Sequence, residues 1–141
     1  MKNEIYLFKN QNVKLEVNLK DETVWLTREQ LSKLFDRDIK TIGKHISAAL
    51  KDELDNSTVA KFATVQKEGK REVTRNIEYY NLDMIISVGY RVKSKNGIVF
   101  RKWATKVLKD NLIKGYSINE KRLEYLEKTV KLIDIASRKE E

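Results

Sequence analysis

The sequence contains no cysteine and no proline, a single histidine (His45) and five glycines. Without cysteine there is no disulfide framework and no thiolate metal site, which fits a cytoplasmic setting. One histidine leaves no His-x-x-Glu pair, and no Cys-x-x-Cys spacing exists either. Gly43-Lys44 lacks the upstream glycine and the following Ser/Thr of a phosphate-binding loop, and no nucleophile-elbow pattern occurs. No apolar run approaches the length of a membrane span, and the N-terminus carries no signal pattern. These absences point away from an enzyme, a metal, a cofactor, a small-molecule substrate and a membrane. The lack of proline leaves every helix free of proline breaks.

Positive charge is plentiful, and its placement matters more than its total. The formal net charge is +8. Residues 1–80 carry 15 basic and 13 acidic side chains, residues 119–141 carry six of each, and residues 81–118 carry eight against two. The surplus is therefore concentrated in the middle of the chain, as expected for a surface that meets a polyanion. Between Asp83 and Asp110 there is no acidic residue, while Arg91, Lys93, Lys95, Arg101, Lys102, Lys106 and Lys109 fall there. A merely solvated helix face usually mixes signs, because opposite charges three or four residues apart stabilise it.

The stretch Thr27–Leu50 reads as two short helices around a polar turn. Thr27 is placed to cap the first helix, whose inner face is Leu31, Leu34 and Phe35. Asp36-Arg37-Asp38 interrupts the pattern. Ile39, Ile42, Ile46, Ala49 and Leu50 form a second apolar stripe, which turns Lys40, Thr41, Lys44, His45 and Ser47 outward. This is the sequence form of a helix-turn-helix, with outward side chains that reach phosphates and base edges. An αα-hairpin with a polar outer face is the plainer reading of the same residues.

Upstream, Ile5, Leu7, Val13, Leu15, Val17 and Leu19 alternate with polar residues, with turns expected at Gln11-Asn12 and at Lys20 to Glu22. A third strand, Thr23–Leu26, feeds the first helix, with Trp25 in the core or packed under that helix. Downstream, Val59–Gln66 and Val73–Tyr80 form a hairpin turned at Gly69, with Lys67, Lys70 and Arg71 at its tip. Its position after the two helices is that of a wing, or it is an ordinary surface hairpin. A helix over Leu82–Val92 follows, capped by Asn81 or Asp83, with Leu82, Ile85, Ile86 and Gly89 inward; Gly89 would let a neighbouring helix approach closely. After a loop at 93–97, a helix from Ile98 to Lys114 carries Phe100, Trp103, Ala104, Val107, Leu108 and Leu112 as an apolar stripe, and Gly115 is its expected stop. A last helix, Glu120–Arg138, carries Leu123, Leu126, Val130 and Ile133 as a short a/d seam that either docks on its own domain or pairs with a second copy.

Two runs carry a family resemblance. YYNLDMIISVGYRVKSKNGIVFRKWATKVLKDNLIKGYSIN, from Tyr79 to Asn119, and VWLTREQLSKLFDRDIKTIGKHI, from Val24 to Ile46, resemble the virulence-associated RhuM family of bacterial proteins. That family is similar to the DNA-binding N-terminal domains of phage antirepressor and Bro-type proteins. The resemblance implies a bacterial DNA-binding regulator and brings no catalytic residues. Members are usually longer, so the chain is expected to be part of a longer protein.

The resulting expectation is an α+β fold: a small N-terminal sheet, a helix-turn-helix with a hairpin wing, a basic helical pair and a C-terminal helix. Residues 1–118 would form the DNA-binding domain and 119–141 an amphipathic helix. The expected partner is double-stranded DNA, with a homodimer through the 120–138 helix. Lys40, Thr41, Lys44 and His45 would read bases; Arg37, Lys70, Arg71, Arg91, Lys93, Lys95, Arg101, Lys102 and Lys106 would hold phosphates. The alternative is a protein-interaction module that uses the 120–138 stripe and does not bind DNA.

Overall fold

The structure, a computed structural model, describes residues 4–139, with side chains placed for all of these except 116–119 and 134–139. It is a mixed α/β chain of four helices and one five-stranded antiparallel sheet. Strands β1 (Glu4–Asn10), β2 (Val13–Lys20) and β3 (Thr23–Thr27) run up and down through two tight turns. Gln11, Asp21 and Glu22 take positive φ in those turns, and none of them is β-branched, the side-chain type least tolerated there. Helices α1 (Arg28–Phe35) and α2 (Ile39–Asp52) follow, then a short 3-10 turn at Asn56–Thr58. Strands β4 (Val59–Glu68) and β5 (Arg71–Asn81) form a long hairpin that reverses at Gly69, whose φ is +64°. The chain ends with α3 (Leu82–Arg91) and α4 (Lys95–Lys139).

The sheet order is β1-β2-β3-β5-β4. The N-terminal strands and the hairpin are therefore one sheet, joined where Trp25, Leu26 and Thr27 pair with Asn81, Tyr80 and Tyr79. This junction leads directly into two helices: α1 starts where β3 ends, and α3 starts where β5 ends. The core lies between the sheet and the helices. Phe8, Val17, Val24, Leu26 and Tyr80 from the strands are buried with Leu31, Leu34, Phe35, Ile42, Met84, Ile85, Val88 and Phe100 from the helices. At about 25 cal/mol per Å², each fully buried residue of this size stabilises the fold by about 1.5–3 kcal/mol.

Trp25 is buried as the sequence implies. It lies on the other face of the sheet, edge-on to Phe62 at 5.3 Å, and its indole N–H donates to the Lys20 carbonyl at 2.9 Å. Gly89 and Gly97 provide a close crossing of α3 and α4: a Cβ on Gly89 would sit 3.1 Å from the Phe35 ring and 3.4 Å from the Gly97 Cα. Asn96 locks this corner, donating to the Leu34 carbonyl at 2.8 Å and accepting from Asn10 at 3.3 Å.

Several local expectations are corrected. In β1 the inward residue is Phe8, while Ile5 and Leu7 are exposed. Two apolar sets alternate in this strand, and the set that wins includes Phe8, which packs edge-to-face on Phe100 at 5.1 Å and Trp103 at 5.2 Å. Ile39, at the first position of α2, is 48% exposed because the buried stripe begins one turn later at Ile42. Met84 and Val88 join Ile85 and Gly89 on the buried side of α3, while Leu82 and Ile86 are only half-buried. The following helix starts at Lys95 rather than Ile98, and it does not stop at Gly115. A glycine stop needs a left-handed residue, and Gly115 is not among the positive-φ glycines. In a helix interior glycine costs only about 1 kcal/mol relative to alanine, and no proline follows to end the run. The Tyr116–Asn119 link is therefore helical.

The chain divides into two compact units, Met1–Thr105 and Lys106–Glu141. Among the described residues no helix is long and apolar enough to cross a membrane, and no group of His, Asp or Glu could hold a metal ion.

Candidate nucleic-acid interface

The segment from Thr27 to Asp52 is fixed by a chain of caps. Thr27 and Gln30 form a reciprocal capping box at the start of α1, with bonds of 3.1 and 2.9 Å. Asp36 ends that helix in the left-handed conformation, at φ 52°. Asp38 then caps α2, its carboxylate accepting from the Thr41 amide at 2.7 Å. Hydrogen bonds from the Thr41 side chain and amide, and the charge of Lys44, hold the Asp38 carboxyl below the usual carboxylate range. The turn between the helices is thus three residues with a cap at each end.

Arg37 occupies the middle of that turn. Its guanidinium donates to the carbonyls of Phe35 at 3.1 Å and Asp36 at 3.0 Å, and to the Val92 carbonyl at 3.1 Å. It joins the end of α1 to the end of α3, so its hydrogen-bonding capacity is largely taken up by the fold. The same contact brings the basic residues after α3 beside the turn that precedes α2.

On α2, Ile42, Ile46 and Ala49 are buried. Lys40, Lys44, Ser47 and Lys51 are exposed, at spacings of four, three and four that place them in one stripe. Thr41 and His45 flank it, both half-buried. No acidic residue occurs from Ile39 to Lys51, and the stripe lysines are in no ion pair among the described residues.

The other expected contacts fall into separate groups. Lys70 and Arg71 are exposed at the reversal of the β4–β5 hairpin, next to an exposed Arg75–Glu68 ion pair at 2.7 Å. Arg91 is engaged inside the fold. It reaches Glu53 at 3.3 Å and Asp52 at 3.5 Å, and Glu53 also accepts from the Ser87 hydroxyl. The Ser87 hydrogen bond, followed by Arg91, pulls the Glu53 carboxyl below its ordinary value. Lys93, Lys95 and Arg101 line a cleft of about 420 Å³ between α3 and the start of α4, with Ile86, Tyr90 and Ile98 as its apolar lining. Tyr90 is 86% exposed there. Lys102 is exposed on α4, and Lys106 is exposed in the second compact unit.

Two residues that the sequence reading passed over belong with this surface. Lys51 extends the α2 stripe by one turn and is visible from its spacing of seven after Lys44. Arg28 opens α1, donates to the Tyr80 hydroxyl at 3.3 Å, and lies over Gly43 of α2, where a Cβ would come 3.2 Å from its guanidinium. No local signal marks Arg28, because its neighbours come from β5 and α2. Burial, with a lesser contribution from the Glu78 carboxylate, raises the Tyr80 hydroxyl above its ordinary pKa against the opposing pull of Arg28.

No curated protein and no solved structure matched the chain. The model of the virulence protein RhuM family matches residues 57–133, which covers the hairpin, α3 and most of α4, including the Gly89–Gly97 crossing and the basic cleft. That match spans more than half of the chain, and the protein belongs to the RhuM family.

Proposed function

We propose that the chain is a sequence-specific DNA-binding regulator in which α1, the Asp36–Asp38 turn and α2 act as a helix-turn-helix and the β4–β5 hairpin acts as its wing. The observation that carries this reading is the α2 stripe: Lys40, Lys44, Ser47 and Lys51 exposed in line, with no acidic residue among them and no ion pair to the lysines among the described residues. An α-helix fits the major groove of duplex DNA, and side chains on one stripe reach base edges and the flanking phosphates. The rigid caps support the same role, because a reading helix must be held at a fixed angle. So does the pairing of β3 with β5, which anchors the hairpin beside the helices.

In this reading Lys40, Thr41, Lys44 and His45 face the bases. Lys51 and Ser47 extend the contact, and Lys70, Arg71, Lys93, Lys95, Arg101, Lys102 and Lys106 meet phosphates. Arg37 and Arg91 hold the scaffold and are removed from the contact set.

Selection of bound duplexes from a random pool tests the proposal. An enriched motif that is lost with K40E/K44E supports it. Recovery of unselected sequence, or of none, refutes sequence-specific binding.

A further inference from the structure

From Leu112 onward the described large apolar side chains of α4 are exposed, whereas Val107 and Leu108 before them are half-buried. Leu112, Leu123, Leu126, Val130 and Ile133 are 70%, 59%, 51%, 64% and 63% exposed. These five fall in register, and Ile113, Tyr125 and Leu132, exposed to a similar degree, flank them. From Leu123 the spacing is three, four and three, and counting back from Leu123 by four, three and four, through positions 119 and 116, reaches Leu112. That is a heptad seam with Leu123 and Val130 at the a positions and Leu112, Leu126 and Ile133 at the d positions. An exposed apolar run such as Leu123, Leu126, Val130 and Ile133 is costly to leave in water and can be covered by the same run of a second copy.

The charges beside the seam indicate what covers it. The first e position is the apolar Ile113, the later ones Glu120, Glu127 and Asp134 are acidic, and the g position before Glu127 is Arg122. In a parallel pair each g residue faces the e residue five positions later on the other helix, so Arg122 would meet Glu127 twice, once on each side. In an antiparallel pair e faces e, and carboxylates would oppose carboxylates. Neither Arg122 nor Glu127 takes part in an ion pair among the described residues.

We propose that residues 112–133 of α4 pair with the same segment of a second copy as a parallel, in-register two-stranded coiled coil, with Arg122 of each copy facing Glu127 of the other. The apolar seam supplies the association and the Arg122–Glu127 pairs select orientation and partner. A two-fold axis along this helix would duplicate whatever the rest of each copy binds, and the proposal stands apart from DNA binding because its test contains no nucleic acid.

Sedimentation equilibrium of the full chain should give twice the chain mass, and L126E/V130E should give the monomer mass while the thermal transition of the folded core persists. R122E should weaken association about tenfold, since it turns two attractive pairs into two repulsive ones, and R122E/E127R should restore it. Because the chain has no cysteine of its own, I133C reports orientation without interference. Mild oxidation should link I133C to I133C, since in-register d positions bring their backbones within disulfide reach. A monomer at every concentration overturns the proposal, as would a surface that serves a different protein. So would a dimer insensitive to R122E, or linkage of L123C to I133C in place of I133C to itself.

Discussion

The α2 helix and the end of α3 carry the same kind of charge and use it differently. On α2 the cations are lysines, exposed in a line and unpaired among the described residues. At the end of α3 the cation is Arg91, three-quarters buried at its side chain and held by the carboxylates of Asp52, which ends α2, and Glu53, which follows it. Arg37, in the turn before α2, is exposed but donates to three carbonyls, two of them its own neighbours' and the third that of Val92. The comparison separates two roles that a count of basic residues merges. A planar guanidinium with five donors can bridge several fixed acceptors, and a cation so engaged has fewer donors left for a polyanion than an unpaired ammonium does. Net charge locates a polyanion surface only after the cations committed to the fold are subtracted.

Breaking the free side of this comparison should have the largest effect. K40E/K44E should lower duplex affinity by about a hundredfold or more, from the loss of two contacts at roughly 1–3 kcal/mol each, and should leave thermal stability nearly unchanged. Equal affinity for wild type and variant, measured by anisotropy, would remove α2 from the interface. Breaking the scaffold gives the opposite pattern. Gly89→Val should destabilise the fold by about 1–3 kcal/mol, because its Cβ would press on the Phe35 ring and branching adds to the overpacking. Urea denaturation measures this, and an unchanged midpoint would mean that the α3–α4 crossing is looser than it is drawn.

Arg91→Met should cost about 1 kcal/mol or less in stability, since its carboxylate partners are themselves exposed, and should leave the affinity of the folded protein within about twofold. A large loss of affinity at constant stability would return Arg91 to the phosphate contacts. The smallest effect is on the acid side. Asp38 and Glu53 have folded-state pKa values below their ordinary ones, so they contribute stability fully above the usual carboxylate range and lose it as pH falls through the lowered values. Stability measured downward from neutral pH should therefore stay flat and drop only in the acid range. The drop should be smaller in a variant with Asp38→Asn and Glu53→Gln, and an identical profile would show that these caps do not titrate with folding.

Much of this structure was legible because short-range chemistry decides it. Thr27 opens a helix through its own hydroxyl, and Asn81 does the same through its amide oxygen. Gly69 turns the hairpin because the reversal needs positive φ. In β5 successive residues point to opposite faces, and Tyr79 and Tyr80 are both buried, one on each side of the sheet. Illegible features depend on distant partners. β1 could face either way until Phe100 and Trp103 from α4 selected Phe8. The bonds of Arg37 to the Val92 carbonyl and of Arg91 to the Asp52 and Glu53 carboxylates have no local signal, because those acceptors are placed by tertiary structure. Gly115 read as a stop because the sequence shows the residue and not its φ.

The most direct test is the salt dependence of duplex binding by the wild-type chain. About six neutralised phosphates predict a log–log slope near −5, so affinity should fall by about a thousandfold between about 50 and 200 mM salt. A slope near zero, or no binding at the lower salt, would contradict the proposal that the free lysine surface meets DNA.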